Sequence, residues 1–469
     1  MADRKFFSAL KTCSEAELAH FRSFAASPYH NRRTEWLALL DYLIGCWPLF
    51  SEADTQAPRL YALLQPGAPF NDKDLRYALS GLNQLLERFW AFERFGADAL
   101  RPDLDLMAVL TERGLDKAYR QAARRAAQQL ERQPRHTRYF QDQLQLLELE
   151  EQQFERQRVR RFDNAIQRAA DTLDAYYYLQ RLKLTCAMID RQRILQGAYD
   201  LGLTDEWLRH LQQRPFFQEP AIQLFYHVLC ALRDEEDENW FAGLKALLNT
   251  PDPAISPLDL RDGYRPAINY CARKIRQGRA DYAAEALALY VAGIEKGYLL
   301  DRGELSPWTF TNVVKLSLRL ARYEWIEAFI PQYAPLLPDA FRHNALHYNL
   351  AELYYYTQRY AQAQTQLNEV AWTDLNYYLG ARVMLAKIYY EQDDTEPLLS
   401  LIAAFTIFLK RNKEISADLK QTYLNFCEIL FQLLRQNSRK MAALEERIRT
   451  TPLLTDRAWL LEQCAGGRV

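Results

Sequence analysis

Apolar residues recur three or four positions apart along most of this chain, and the first such stripe follows a helix-start signal. Ser14-Glu15-Ala16-Glu17 is a capping box, in which Ser and Glu side chains satisfy backbone N–H groups exposed at a helix start. The helix it opens runs to about Ser27-Pro28. Trp36, Leu39, Leu40 and Leu43 predict a second over about 33–46, stopped at Trp47-Pro48. Asn71 is placed to cap a longer helix with the stripe Leu75, Leu79, Leu82, Leu86 and Phe89, ending at Gly96. Residues 1–102 form an N-terminal helical unit on this pattern.

Residues 103–219 form a Gln/Arg-rich helical array. Pro134 separates a helix over about 116–133 from one over about 137–159, whose Phe140, Leu144, Leu147 and Phe154 share a side. That stripe is too short to sustain a coiled coil. A Tyr-rich amphipathic helix follows, through Leu173 to Leu184. From 220 to 469 the rhythm changes to paired helices of similar length. Asp237 and Ser256-Pro257 are helix starts, while Gly278, Gly297 and Ser306-Pro307 punctuate later pairs. Strand-like alternation is absent, and roughly twenty helices are predicted.

A repeat emerges in the last third. Leu350-Ala351-x-x-Tyr354 superimposes on Leu385-Ala386-x-x-Tyr389 after a shift of 35 residues. The same shift carries Tyr355 onto Tyr390, Ala363 onto Leu398 and Leu367 onto Ile402. A small residue at Ala351 and Ala386 lets paired helices approach, and the aromatic one turn later fills the space between pairs. Leu350, Ala351, Tyr354, Tyr360, Ala363 and Leu367 resemble the tetratricopeptide repeat, whose period is 34. His347 stands where Trp is common, and Leu375 where Pro often closes a repeat. The resemblance covers about 307–411, loosens over 220–306, and is followed by a capping helix over Ser416 to Gln436 and two shorter ones. Separately, Phe24 to Asn31, Cys186 to Arg191 and Phe408 to Lys413 are similar to an uncharacterised family of bacterial helical proteins. That second resemblance implies one continuous architecture and no particular activity. The expected fold is all-α, an N-terminal helical bundle or array continuing into a right-handed α-solenoid like that of tetratricopeptide proteins.

Composition narrows the function classes. Only 16 Gly and 19 Pro in 469 residues suit helices joined by short loops. A net charge of −1 supplies no overall field toward nucleic acid or an anionic membrane. Seven scattered Cys without a C-x-x-C point to a reducing compartment and no zinc site. The longest apolar run, Leu398 to Leu409, falls short of the about 20 residues that span a bilayer, so it is expected to be a buried helix. A cytoplasmic location, with no membrane partner, is the expectation.

Candidate chemistry is sparse. His343 and His347 lie one helical turn apart and can share a metal ion, but Asn344 replaces the Glu a zinc protease needs there. Helix packing is the stronger account of the pair. A basic run, Arg156, Arg158, Arg160 and Arg161 with Arg124, Arg125, Arg132, Arg135 and Arg138, is offset by Glu148, Glu150, Glu151 and Glu155. Asp234-Glu235-Glu236-Asp237-Glu238 precedes a helix and is expected to serve as loop and cap. Phosphate-loop, dinucleotide, nucleophile-elbow and calcium-loop patterns are missing from the sequence, so neither a catalytic motif nor a cofactor is expected.

The function expected from this pattern is a protein-interaction scaffold that takes a peptide or partner helix in a concave groove. In tetratricopeptide hairpins the first helix lines that surface. The resemblance therefore implies Lys315 and Arg319 from one pair, Tyr348, Glu352 and Tyr355 from the next, and Lys387 and Tyr390 from the third. Tyr348 and Glu352 occupy positions where chaperone-binding members carry a carboxylate clamp, which disfavours that particular partner. Two alternatives stand beside the scaffold: a nucleic-acid-associated regulator using the Arg-rich 120–170 region, and an enzyme whose site no motif reveals.

Overall fold

The computed structural model describes residues 4–156, 162, 164–194, 197–202, 204–371, 374–435 and 441–465. These residues form 23 α-helices, two short 3-10 turns and one two-stranded hairpin, so the chain is all-α in class. None of these helices is long and apolar enough to cross a membrane. By packing, the chain divides into two compact units, Met1–Gln133 with Arg138–Tyr176, and Pro134–Thr137 with Tyr177–Val469.

The first unit starts with α1 (Arg4–Lys11), α2 (Glu15–Ala26), α3 (Trp36–Gly45), α4 (Ala57–Leu64) and α5 (Asp72–Gly96). The capping box at Ser14 forms as the sequence predicts, and the Asn71 side chain accepts from the N–H groups of Lys73 and Asp74. Leu75, Leu79, Leu82, Leu86 and Phe89 of α5 are buried against Phe6, Leu10, Phe21 and Leu40. Next come α6 (Arg101–Arg113), α7 (Asp116–Glu131), α8 (Thr137–Arg156) and α9 (Ala165–Ile194), the last crossing into the second unit. Leu104, Met107, Ala122, Ala126, Leu146 and Leu149 share a separate apolar cluster, and the Tyr119 hydroxyl donates to the Leu149 carbonyl at 3.0 Å.

The second unit continues through α10 (Asp205–Gln212), α11 (Pro220–Arg233), α12 (Glu238–Asn249), α13 (Pro257–Arg276) and α14 (Tyr282–Glu295). Asp237 and Ser256 cap α12 and α13 with their side chains, as expected of them. A hairpin follows, β1 (Leu300–Asp301) paired with β2 (Glu304–Leu305). It corrects the expectation that no strand would appear. Its two-residue turn, Arg302 and Gly303, has φ of 53° and 86°, the left-handed pair that a tight hairpin requires.

Three helix pairs come next: α15 (Pro307–Arg319) with α16 (Tyr323–Tyr333), α17 (Asp339–Tyr356) with α18 (Tyr360–Glu369), and α19 (Leu375–Glu391) with α20 (Thr395–Arg411). α15 packs on α17, and α17 on α19, so the first helices of successive pairs are neighbours. Ala351, Ala363, Leu367 and Leu385 are buried in one cluster, and Ala386, Leu398 and Ile402 in the next. The two sets matched by the 35-residue shift therefore do the same packing in consecutive pairs. α21 (Ala417–Arg435), α22 (Met441–Thr450) and α23 (Arg457–Ala465) complete the unit, close to the three helices expected there.

Each of these pairs turns through the same backbone device. Ala321, Gln358 and Asp393 are left-handed, with φ of 54°, 57° and 60°. The following N–H then reaches back to the carbonyl five residues earlier: Arg322 to Ser317 at 2.9 Å, Arg359 to Tyr354 at 2.8 Å, Asp394 to Tyr389 at 2.9 Å. This is a Schellman closure, which satisfies a helix-end carbonyl and reverses the chain within a few residues. Gly114 and Gly278 make the same turn elsewhere, with the glycine expected at such a position.

Left-handed backbone costs an ordinary L-residue about 1–2 kcal/mol, partly offset by the extra chain entropy that glycine loses on folding. Ala321→Gly is therefore expected to stabilise the protein by about 0.5–1 kcal/mol, read as a higher urea midpoint with an unchanged slope. Ala321→Val should lower the midpoint.

Candidate functional site

The first helices α15, α17 and α19 bring together most of the seven groove residues predicted from the repeat. Tyr348 and Glu352 sit one turn apart on α17, with Lys315 of α15 and Lys387 of α19 close enough to act on the Glu352 charge. Tyr348 packs its ring 5.4 Å from Tyr377 of α19, and the Tyr377 hydroxyl lies 3.2 Å from Thr311 of α15. That last contact spans two helix pairs and draws the three helices together. Gly380 permits the approach, since a Cβ there would stand 2.8 Å from the Tyr348 hydroxyl. Arg319 is exposed at the end of α15, one turn beyond Lys315.

One end of this surface is closed by the chain's own C-terminal segment. Asp456, just ahead of α23, pairs with Lys387 at 2.8 Å, and the ammonium also lies over the rings of Tyr355 and Trp459 at 4.8 and 5.5 Å. Glu391 accepts from the Tyr355 hydroxyl at 2.5 Å, the Tyr360 hydroxyl at 2.7 Å and the Trp459 indole N–H at 2.7 Å. Tyr390 is buried with its ring edge-on to Trp459 at 5.4 Å. Lys387, Tyr355 and Tyr390 are thus occupied by intramolecular partners. The sequence pattern missed Glu391, Asp456 and Trp459; the last two lie 69 and 68 residues downstream of Lys387 and Glu391, where no periodicity links them to α19.

Glu352 is different. Part of its side chain is open to solvent, yet Oε2 is sealed and meets no donor among the described residues. Burial pushes its carboxyl above the ordinary value, against the pull of Lys315 and Lys387, and Asp456 adds to the rise. Burial likewise raises the phenols of Tyr348, Tyr355 and Tyr377, with Glu352 adding to the first and last and Glu391 to Tyr355.

The open end holds a pocket of about 260 Å³ lined by Pro307, Trp308, Thr311 and Lys315 of α15, Phe341 and Tyr348 of α17, and Asp374, Asn376 and Tyr377 at the start of α19. Trp308 is 69% exposed and Phe341 40%, so both rings leave apolar surface in water at the pocket mouth. The Asp374 carboxylate caps α19, accepting from the N–H groups of Asn376 and Tyr377 at 2.9 and 3.4 Å. A larger open cleft of about 980 Å³ lies around the β1–β2 hairpin, where Arg261, Arg265 and Arg302 alternate with Asp190, Asp301 and Glu304. The sequence pattern singled out none of these cleft residues as a site.

The other sequence candidates have local roles. His343 Nε2 lies 2.9 Å from the Glu369 carbonyl and His347 Nδ1 2.7 Å from Gln366, so both imidazoles tie α17 to α18. Among the described residues no three His, Cys, Asp or Glu side chains group as a metal site. Arg125 pairs with Asp103 at 2.5 Å, Arg135 with Glu219 at 2.7 Å, Arg138 with Asp98 and Asp142, and Arg156 with Asp116 at 3.8 Å. Arg124 and Arg132 are exposed, while Arg158, Arg160 and Arg161 lie outside the described residues. Glu235 receives Arg193 and Arg273, both at 2.7 Å, and Asp234 accepts from the N–H groups of Glu236 and Asp237, so the acidic stretch serves as loop and cap. No family model, curated protein or solved structure matches the chain.

The raised Glu352 carboxyl fixes the sign of a pH effect. Between its ordinary value near 4.3 and its higher folded value, the folded chain holds a proton that the unfolded chain has released, so stability falls as pH rises through that window. Glu352→Gln is expected to remove that contribution. Melting temperatures measured from pH 4 to 8 should fall less steeply for the variant, with the two profiles converging at the acid end.

Proposed function

We propose that the protein is an interaction module that holds a partner's peptide segment against α15, α17 and α19, and that the helix pairs from α11 onward form a right-handed tetratricopeptide-like solenoid. The observation that carries the binding proposal is the open aromatic pocket at Trp308, Phe341, Tyr348 and Tyr377. It is built from the first helices of three consecutive pairs and leaves two large rings largely in water. Exposed aromatics around a preformed cavity are the usual anchor sites of protein–protein recognition. The recurring Schellman closures and the equivalent burial of Ala351 and Ala386 support the repeat assignment. A cytoplasmic location fits seven unbridged cysteines.

The nucleic-acid alternative is weakened where it can be tested by geometry, because Arg125, Arg135, Arg138 and Arg156 already face carboxylates. A surface that binds phosphate by counterion release needs such cations to face outward.

A random peptide library displayed on phage and selected on the full-length protein tests the proposal. Trp308→Ala and Tyr348→Ala should each reduce retention of the selected peptides at least about tenfold, the loss typical of a central aromatic anchor. Tyr29→Ala, at a ring 88% exposed in the other unit, should leave retention unchanged. Retention indifferent to Trp308 and Tyr348 would remove this face as the binding surface. Tyr355→Ala and Tyr390→Ala are poor probes, since they delete buried contacts to Glu391 and Trp459 and should lower stability instead.

A further inference from the structure

The pocket at Trp308 has a definite size and a definite charge. About 260 Å³ is below the range of sites that enclose a whole small molecule and suits one large side chain entering from a longer segment. Its walls are rings: Trp308 and Phe341 at the mouth, Tyr348 and Tyr377 inside. Two side chains of opposite charge, Lys315 and Asp374, line it, and they are not equivalent. The Asp374 carboxylate is already directed at two backbone N–H groups of its own helix start. Lys315 is exposed and pairs with no carboxylate within 4 Å among the described residues.

Glu352 is a counter-charge close enough to interact with Lys315, and burial disfavours its charged form. Its Oε2 is sealed without a donor, and its surroundings favour the protonated form. The groups that face it are Lys315 from α15, Tyr348 and Tyr356 from its own helix, Tyr377 and Lys387 from α19, and Asp456 ahead of α23. Lys387 is committed to Asp456, which leaves Lys315 as the cation at the mouth of an aromatic pocket.

We infer that the pocket takes an aromatic side chain from an internal peptide segment and that Lys315 pairs with an Asp or Glu side chain next to that ring. Glu352 sets how strongly the cation is felt. Deepening the proposed peptide-binding function, the inference rests on it and commits to one chemistry of partner. A basic segment is the opposite choice, in which Glu352 would be the anchor and Lys315 a repulsive neighbour.

The test uses the full-length protein and fluorescent nonapeptides, acetylated and amidated so that only side chains carry charge: Gly-Gly-Ser-Asp-Phe-Asp-Ser-Gly-Gly and variants with Lys for Asp or Ala for Phe. Anisotropy at low salt should show binding of the Asp-Phe-Asp peptide, weakened about thirtyfold by Ala for Phe. Lys315→Met should weaken it about three- to fivefold, the scale of a rim ion pair, and added salt should erase that difference. Glu352→Gln should tighten it about twofold, and that gain should shrink toward acid pH, where the wild-type carboxyl also takes up its proton.

Preference for the Lys-Phe-Lys peptide, or loss of binding in Glu352→Gln, would overturn the acidic assignment while leaving the peptide-binding proposal intact. No binding of any nonapeptide, alongside Trp308-dependent phage retention, would do the same. 3-Phenylpropionate competing as well as the nonapeptide, mole for mole, would reassign the pocket to a free aromatic acid. Failure of both assays would remove the binding surface itself.

Discussion

The hydrogen bond from the Arg359 N–H to the Tyr354 carbonyl, repeated at Arg322–Ser317 and Asp394–Tyr389, is the constraint on which the second unit's arrangement depends. It ends a helix and starts the next within three residues, so the two helices of a pair must lie antiparallel and close. Closeness at the pair then demands a small side chain, which Ala351 and Ala386 supply. With the pairs fixed, each buries its remaining apolar face on the next, and α15, α17 and α19 become adjacent. The Thr311–Tyr377 contact is a consequence, because α15 and α19 approach across α17 only when both turns are tight.

That geometry creates a problem at the far end of the row, where α19 has no further pair of the same kind beside its inner face. The C-terminal segment solves it with polar groups. Asp456 neutralises Lys387, and Trp459 combines apolar burial with an N–H donated to Glu391. Buried polar groups stabilise only when each finds a partner, and here Tyr355, Tyr360 and Trp459 converge on one carboxylate. Glu352 is the member left incomplete, with one oxygen unsatisfied. Structural self-sufficiency at Glu391 and its lack at Glu352 divide one continuous surface into a closed half and an open half.

Much of this was legible in the residues alone, and the failures share a cause. Capping at Ser14, Asn71, Asp237 and Ser256 was readable because a short side chain and its own backbone decide it. The packing equivalence of residues 350–367 and 385–402 was readable because burial repeats with the helical pair. The turns at Ala321 and Gln358 carried no signal, since neither residue prefers left-handed backbone and tertiary packing imposes it, while a lone Asp393 is too weak a cue. The hairpin at Arg302-Gly303 went unread because four strand residues are too few for alternation to show. Tyr390 was placed in the groove by repeat position; the structure buries it under Trp459, whose approach depends on a chain reversal near 451–456 that has no repeat counterpart.

For the proposed peptide binding, the division into closed and open halves also governs how the surface would discriminate. In the closed half, charge and ring contacts are made within the chain, so a ligand arriving there would have to break pairs already formed and gain little. In the open half, the rings of Trp308 and Phe341 contribute apolar area that any large side chain can use, which gives affinity with little selectivity. Selectivity would then rest on the exposed Lys315 ammonium, because a like charge beside it is penalised and an opposite one is favoured. Burial disfavours the charged form of the neighbouring Glu352 carboxyl, which weakens its compensation of that ammonium. The sealed Glu352 oxygen, a defect when viewed as packing, thus belongs to the carboxyl that acts on the cation on which the proposed selectivity rests.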